Sequence, residues 1–254
     1  MLQRFVSECV QISPGTDPFP VEFVMGAESP GDHQQPRRKA AITHRFRISR
    51  YETTQELYLA VMGENPSRWK GPRNSVENVS FQDATRFCER LTGLLRARKH
   101  IADHEVVRLP TSVEWEYCCR AGSTTAYCFG DDASGPAGPT ATLDQYAWHT
   151  GNAAGNDPAV GVLKPNAWGL HDVHGYLWEY CSDPSADETS GTASDASEKD
   201  DRIRRTIRGG SWRDQHTLLS SSTSMTVSPE AVNDATGFRC VIAQKPQAKI
   251  VPAR

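Results

Sequence analysis

No apolar run in the chain approaches 18 residues, so the sequence offers no membrane-spanning helix. The opening stretch, MLQRFVSECVQISPG, has neither a hydrophobic segment nor a small-residue cleavage site. The expectation is therefore a cytoplasmic protein without a signal peptide and without a membrane partner. A basic excess is also missing: 28 Lys and Arg stand against 31 Asp and Glu, a formal charge of −3. Nucleic acid is not expected as a partner, because binding it calls for a basic face. The seven cysteines are odd in number and form no CxxC pair, which excludes a zinc site of ordinary spacing. No internal repeat is visible. Hydrophobic residues reach only 37%, below the usual globular range, so long loops are expected around a modest core.

Six Trp and 19 Gly supply large anchors and tight turns within 254 residues. Residues 21–26 read as a short strand, and residues 42–51 alternate apolar and polar as a half-buried strand does. Thr54 caps a helix running to Met62. Ser80 and Asp83 form a capping box ahead of Ala84, Phe87, Cys88, Leu91, Leu94 and Leu95 at helical spacing. Thr111 and Glu114 repeat the device before a helix ending at Arg120. Residues 121–166 read as irregular loops. Residues 183–201 carry no large apolar side chain and read as a mobile polar insertion. Residues 236–243, ending in GFRCVIA, read as a closing strand. Few helices, short strands and long loops point to one α+β domain over 1–254, with its core at about 20–243.

Seven phrases occur in order: PVEFVMG, RFRISRYETTQELYLAVMGENPSRW, NVSFQDATRFCERL, RLPTSVEWEYCCRAG, PNAWGLHDVHGYLWEYCSD, IRGGSW and GFRC. Together they resemble the formylglycine-generating enzyme, or sulfatase-modifying factor, family. The resemblance implies a fold related to C-type lectins with little regular secondary structure. Members of that family oxidise a sulfatase cysteine to formylglycine, using oxygen and a copper(I) ion held by two thiolates, and calcium has a structural role.

The resemblance also exposes a departure. The two thiolates belong three and eight residues after the Ser of Arg-Gly-Gly-Ser, here Ser211. Those positions hold Asp214 and Leu219, and no cysteine lies between positions 208 and 239. Soft copper(I) wants sulfur, so copper is not expected and no catalytic residue is assigned. His216 is the one imidazole nearby. Hydroxyl side chains over 220–224 replace the Arg-rich phrase of the family. No Ser has a His and an acid at triad spacing. The surviving frame marks a candidate binding groove of Trp178, Tyr180, Ser211, Trp212, Asp214 and His216. Trp115 and Trp168, like Trp178 and Trp212, read first as packing anchors. A calcium site is expected at Asp172, Gly175, Leu177 and Glu179, with carboxylates at the ends and carbonyls between. A second falls on 148–157, where Asn152 is the best remaining candidate. By the same resemblance Cys119 and Cys240 should be neighbours, as thiols or as a disulfide.

The leading expectation is a non-catalytic domain, a pseudoenzyme that binds a ligand or protein. One alternative is a formylglycine-generating or other oxygen-dependent oxidoreductase acting on a protein cysteine. Others are a ligand-binding protein diversified over 213–235, or a partner subunit of a related enzyme.

Overall fold

The computed structural model describes residues 1–153, 157–184 and 204–244. The chain begins with helix α1 (Leu2–Ser7) and strand β1 (Cys9–Ile12). Phe5 and Ile12 are buried, so the core starts well before residue 20. Leu2, Val6 and Cys9 pack with Phe5 at helical spacing, and Val10 with Ile12 at strand spacing, a short pattern the sequence reading passed over. Strands β2 (Glu22–Met25) and β3 (Arg38–Ala41) pair as a ribbon. Strand β4 (Phe46–Ser49) is the ordered part of the expected 42–51 strand.

Helix α2 (Gln55–Met62) starts where the Thr54 side chain accepts from the Leu57 amide, and it stops at Gly63 in the left-handed region. Helix α3 (Phe81–Ala97) carries both arms of the Ser80–Asp83 capping box. Its buried stripe of Ala84, Phe87, Cys88, Leu91 and Leu95 is the one the spacing predicts. Strand β5 (Glu105–Arg108) leads to α4 (Ser112–Arg120), which begins with the complete Thr111–Glu114 box. Unlike α3, α4 is buried nearly all round, including Glu114, Glu116 and Arg120. Strands β6 (Trp178–Pro184), β7 (Arg205–Arg208), β8 (Ser224–Val227), β9 (Thr236–Gly237) and β10 (Val241–Gln244) follow. Asp183 and Pro184 thus complete a strand, contrary to their place in the expected insertion. The rest of that insertion lies outside the described residues.

Two four-stranded sheets result, ordered β1-β4-β10-β5 and β8-β7-β6-β9. The expected closing strand is split between them. Thr236–Gly237 runs parallel to β6, whereas Val241–Gln244 lies between β4 and β5. Phe238, Arg239 and Cys240 cross the seam and are fully buried. Around them Phe87 stacks on Tyr58 at 5.4 Å and meets Phe238 edge-on at 5.2 Å. The architecture is mixed helix and sheet with few helices and many loops, as the sequence implied. Among the described residues no helix is long and apolar enough to cross a membrane.

Candidate functional site

Arg208 ends β7 and anchors the segment that follows. Its Nη1 donates to the carbonyls of Ser222 and Thr223, both at 3.0 Å, and its Nη2 to that of Ser221 at 3.1 Å and to Glu116. The small residues over 220–223 are buried; their carbonyls, not their side chains, fold the chain back onto Arg208. Gly210 turns in the left-handed region, and a Cβ there would meet Leu219 Cδ1 at 2.8 Å, so both the backbone and the packing call for glycine.

The next turn is organised by one carboxylate oxygen. Asp214 Oδ2 accepts from the Ser211 amide at 2.9 Å, from Ser211 Oγ at 2.5 Å and from Trp178 Nε1 at 2.8 Å. Leu219 is fully buried in an apolar cluster with Tyr127, Leu143 and Ala147, and packs against Gly175 as well as Gly210. The two positions the resemblance assigns to copper are thus a carboxylate whose Oδ2 serves three donors and an apolar plug.

Of the six candidate groove residues, Ser211, Trp178 and Asp214 come together. Trp212 lies beside them, its indole N–H donating to the Asp234 carbonyl at 3.0 Å. Tyr180 does not belong to the group. It is buried under Phe81, and its hydroxyl donates to the carbonyls of Ala231 and Val79. The alternation of a strand places Tyr180 on the same face as Trp178, but one step deeper into the core. His216 sits in a short 3₁₀ turn whose carbonyl accepts from Tyr127. Among the described residues no hydrogen bond joins its ring to Asp214.

Of the two expected calcium carboxylates, Glu179 is paired through both oxygens, whereas Asp172 Oδ1 has no hydrogen-bond partner. Arg239 donates from Nε to Glu179 Oε2 at 2.6 Å and from Nη2 to Oε1 at 2.7 Å, while Trp115 Nε1 donates to Oε2 at 2.8 Å. Arg239 and Glu179 are both wholly buried. Glu52 lies nearby, accepting from the Leu177 amide and from Ser75. Burial, and then the charges of Glu179 and Asp172, push its carboxyl well above the ordinary range. Asp172 accepts from the Gly161 amide, and burial raises its carboxyl to about 6. Arg239 pairs with the Glu179 carboxylate, and it reaches Asp172 only at the backbone carbonyl, at 3.3 Å. Among the described residues no group of three or more His, Cys, Asp or Glu is arranged for a metal. Asn152 closes its own turn, accepting from the His149 amide and donating to the Ala147 carbonyl. Residues 154–156 of that loop lie outside the described residues.

The thiol pairing also needs correction. Cys240 Sγ lies 3.7 Å from Cys88 Sγ, in the cluster of Phe87 and Phe238. Cys119 belongs to a separate cluster, with Trp115 and Leu170, where it meets the Val173 carbonyl and the His174 ring. The α3 stripe carries Cys88 to the seam, whereas Cys119 packs in the other cluster, with Trp115 and Val241. All seven cysteines are free thiols. The contact of Cys119 with His174 is not a nucleophile and base. Burial pushes the thiol up to about 12. The imidazole is clamped, with Nε2 accepting from the Cys128 amide at 3.0 Å and Nδ1 left to donate to the Leu219 carbonyl at 2.8 Å.

Beside Trp212 opens a cavity of about 170 Å³ that the sequence reading missed. Its walls include Trp69, Tyr176 and Trp212, and its polar lining is Glu77, Asp157 and Asp234. Trp69 is 46% exposed, a large aromatic left in water. A larger polar cavity, about 340 Å³, lies between the β2–β3 ribbon and the Arg208–Glu116 pair.

The fold and these motifs define a class. The sequence profile of the sulfatase-modifying factor enzyme 1-like domain matches residues 5–244, and the chain belongs to that family. It is 27% identical over 239 residues to the chaperone protein LppX of Paenibacillus barcinonensis, covering 76% of each chain. It is 30% identical over 154 residues to the formylglycine-generating enzyme of Mycobacterium tuberculosis, covering 53% of this chain and 50% of that one. The chain spans about half the length of the formylglycine-generating enzymes it matches. Among solved structures, Treponema denticola variable protein 1 superposes with a TM-score of 0.74 at 24% identity, covering 93% of this chain and 95% of that one.

Proposed function

We propose that this chain is a non-catalytic member of its family that acts by binding a ligand or protein. One observation carries the reading: Leu219 plugs an apolar cluster while Asp214 Oδ2 is taken by three donors. A copper(I) site of the family's kind needs two thiolates at these positions, and none of the seven thiols lies there. The remaining frame is rigid, with Arg208 and Arg239 both buried in ion pairs. It presents an open aromatic cavity next to Trp212, which suits recognition better than redox chemistry. The test is to incubate the protein with copper(I), oxygen and a Cys-x-Pro-x-Arg peptide and to follow the peptide by mass spectrometry. No aldehyde above the protein-free control is expected. Aldehyde formed with multiple turnovers would overturn the proposal.

A further inference from the structure

We infer that Cys88 and Cys240 form a reversible redox pair, which an organic disulfide closes to a disulfide bond inside the folded seam. This goes beyond the binding reading and does not rest on it. Cys88 Sγ lies 3.7 Å from Cys240 Sγ, and a disulfide bond is about 2 Å long. Each sulfur therefore has to move by under ~1 Å. The two thiols are 3% and 0% exposed, inside the cluster of Phe87 and Phe238. Among the described residues no other hydrogen-bonded contact joins two thiols. The two positions are 152 apart in sequence, so one bond would tie α3 to the crossing between the sheets and close a long loop. A cross-link of that span removes much conformational entropy from the unfolded chain.

The surroundings decide which thiols react. Cys240 is held in place: its carbonyl accepts from the Ser49 amide at 2.8 Å, and its Sγ lies 3.8 Å from Thr53 Oγ1. Cys9 is the competing thiol. It is half-buried, pairs with Ser49 across β1 and β4, and packs against the same cluster, but its Sγ donates to the Phe5 carbonyl at 3.3 Å. Burial pushes the Cys88 thiol well above its ordinary range, so little thiolate forms while the core is closed. Reaction with an external disulfide thus passes through local opening of the seam. One cysteine thiolate attacks the reagent, giving a mixed disulfide and one released thiol, and the second cysteine then displaces the other half. Two protein S–H groups are oxidised, the S–S bond of the reagent is reduced, and the two protons leave on the two released thiols.

The test is to hold the reduced, intact chain with excess oxidised glutathione to equilibrium, alkylate the remaining thiols and map the unreduced peptides by mass spectrometry. A peptide pair joining Cys88 to Cys240 is expected, and dithiothreitol should release it. The oxidised protein should melt about 10 °C above the reduced one. Cys88→Ala should abolish both the bond and the rise, whereas Cys9→Ser, at a half-buried position, should keep both. If Cys88→Ala fails to fold, the mapped bond in the parent and the rise in Cys9→Ser still decide. Recovery of Cys88 and Cys240 as free thiols or as glutathione adducts would overturn the inference. A bond from Cys240 to Cys9 or Cys119, or a Cys88–Cys240 bond that lowers the melting temperature, would do the same.

Discussion

Asp214 offers the sharpest test of what replaced the copper position. Asp214→Ala removes one oxygen that serves the Trp178 indole, the Ser211 amide and the Ser211 hydroxyl, at 2.8, 2.9 and 2.5 Å. Trp178 is 5% exposed and Ser211 1%, so water reaches neither well. The hydroxyl can rotate to another acceptor; the indole and the amide cannot. Each buried donor left unpaired costs about 1–3 kcal/mol, so the pair predicts a loss near 4 kcal/mol. In a domain of this size 1 kcal/mol moves Tm by about 2–4 °C, which gives a fall of about 8–16 °C by calorimetry. Asp214→Asn keeps an acceptor at the same place and should lose less than half as much. Urea unfolding followed by tryptophan fluorescence provides a second readout, because Trp178 is itself one of the donors. A fall below about 2 °C for Asp214→Ala would show that the carboxylate does not hold this turn.

Leu219→Ala should cost about 2–5 kcal/mol in urea unfolding, since the side chain is fully buried against Tyr127, Leu143 and two glycines. A loss under about 1 kcal/mol would mean the plug is not tightly packed. Arg239→Met leaves Glu179 buried without its cation and should cost about 3–5 kcal/mol. Millimolar calcium should not restore the lost Tm, and restoration would revive the calcium reading. Asp172 supplies a pH signature in calcium-free buffer. Burial raises its carboxyl from 3.8 to about 6, so the folded state binds that proton more tightly than the unfolded chain does. The resulting stability, about 3 kcal/mol, is full below the unfolded value and is lost as pH rises through about 6. Asp172→Asn removes this slope, so its stability relative to the parent should rise between about pH 4 and about pH 7. Parallel profiles would refute the assignment.

The parts legible in the sequence are those with local causes. Capping at Thr54, Ser80 and Thr111 depends on residues three apart, and all three caps form where spacing places them. The α3 stripe follows from helical period alone. The family followed from phrases whose order survives divergence, and the loss of the thiolate pair was visible as two residue identities. Charge burial was not legible. Glu116 and Arg120 look like an exposed helical pair in sequence, yet both lie in the core with Arg208. Nor was the cavity, because Trp69, Tyr176 and Trp212 are far apart along the chain.

Alone, then, the sequence determined the helices α2, α3 and α4, the fold class, the family and the absence of cysteine at positions 214 and 219. These rest on short-range spacing or on residue identity. Only the tertiary structure decided what fills the vacated positions, which thiol faces Cys240, and which cation Glu179 holds. By resemblance the sequence placed Cys119 beside Cys240, where the structure has Cys88; the Arg239 partner of Glu179 had no counterpart in the sequence reading. The physical reason is the seam at Phe238–Cys240, where two sheets meet. Which side chains converge there depends on strand order and register, long-range pairings that leave no mark in local spacing.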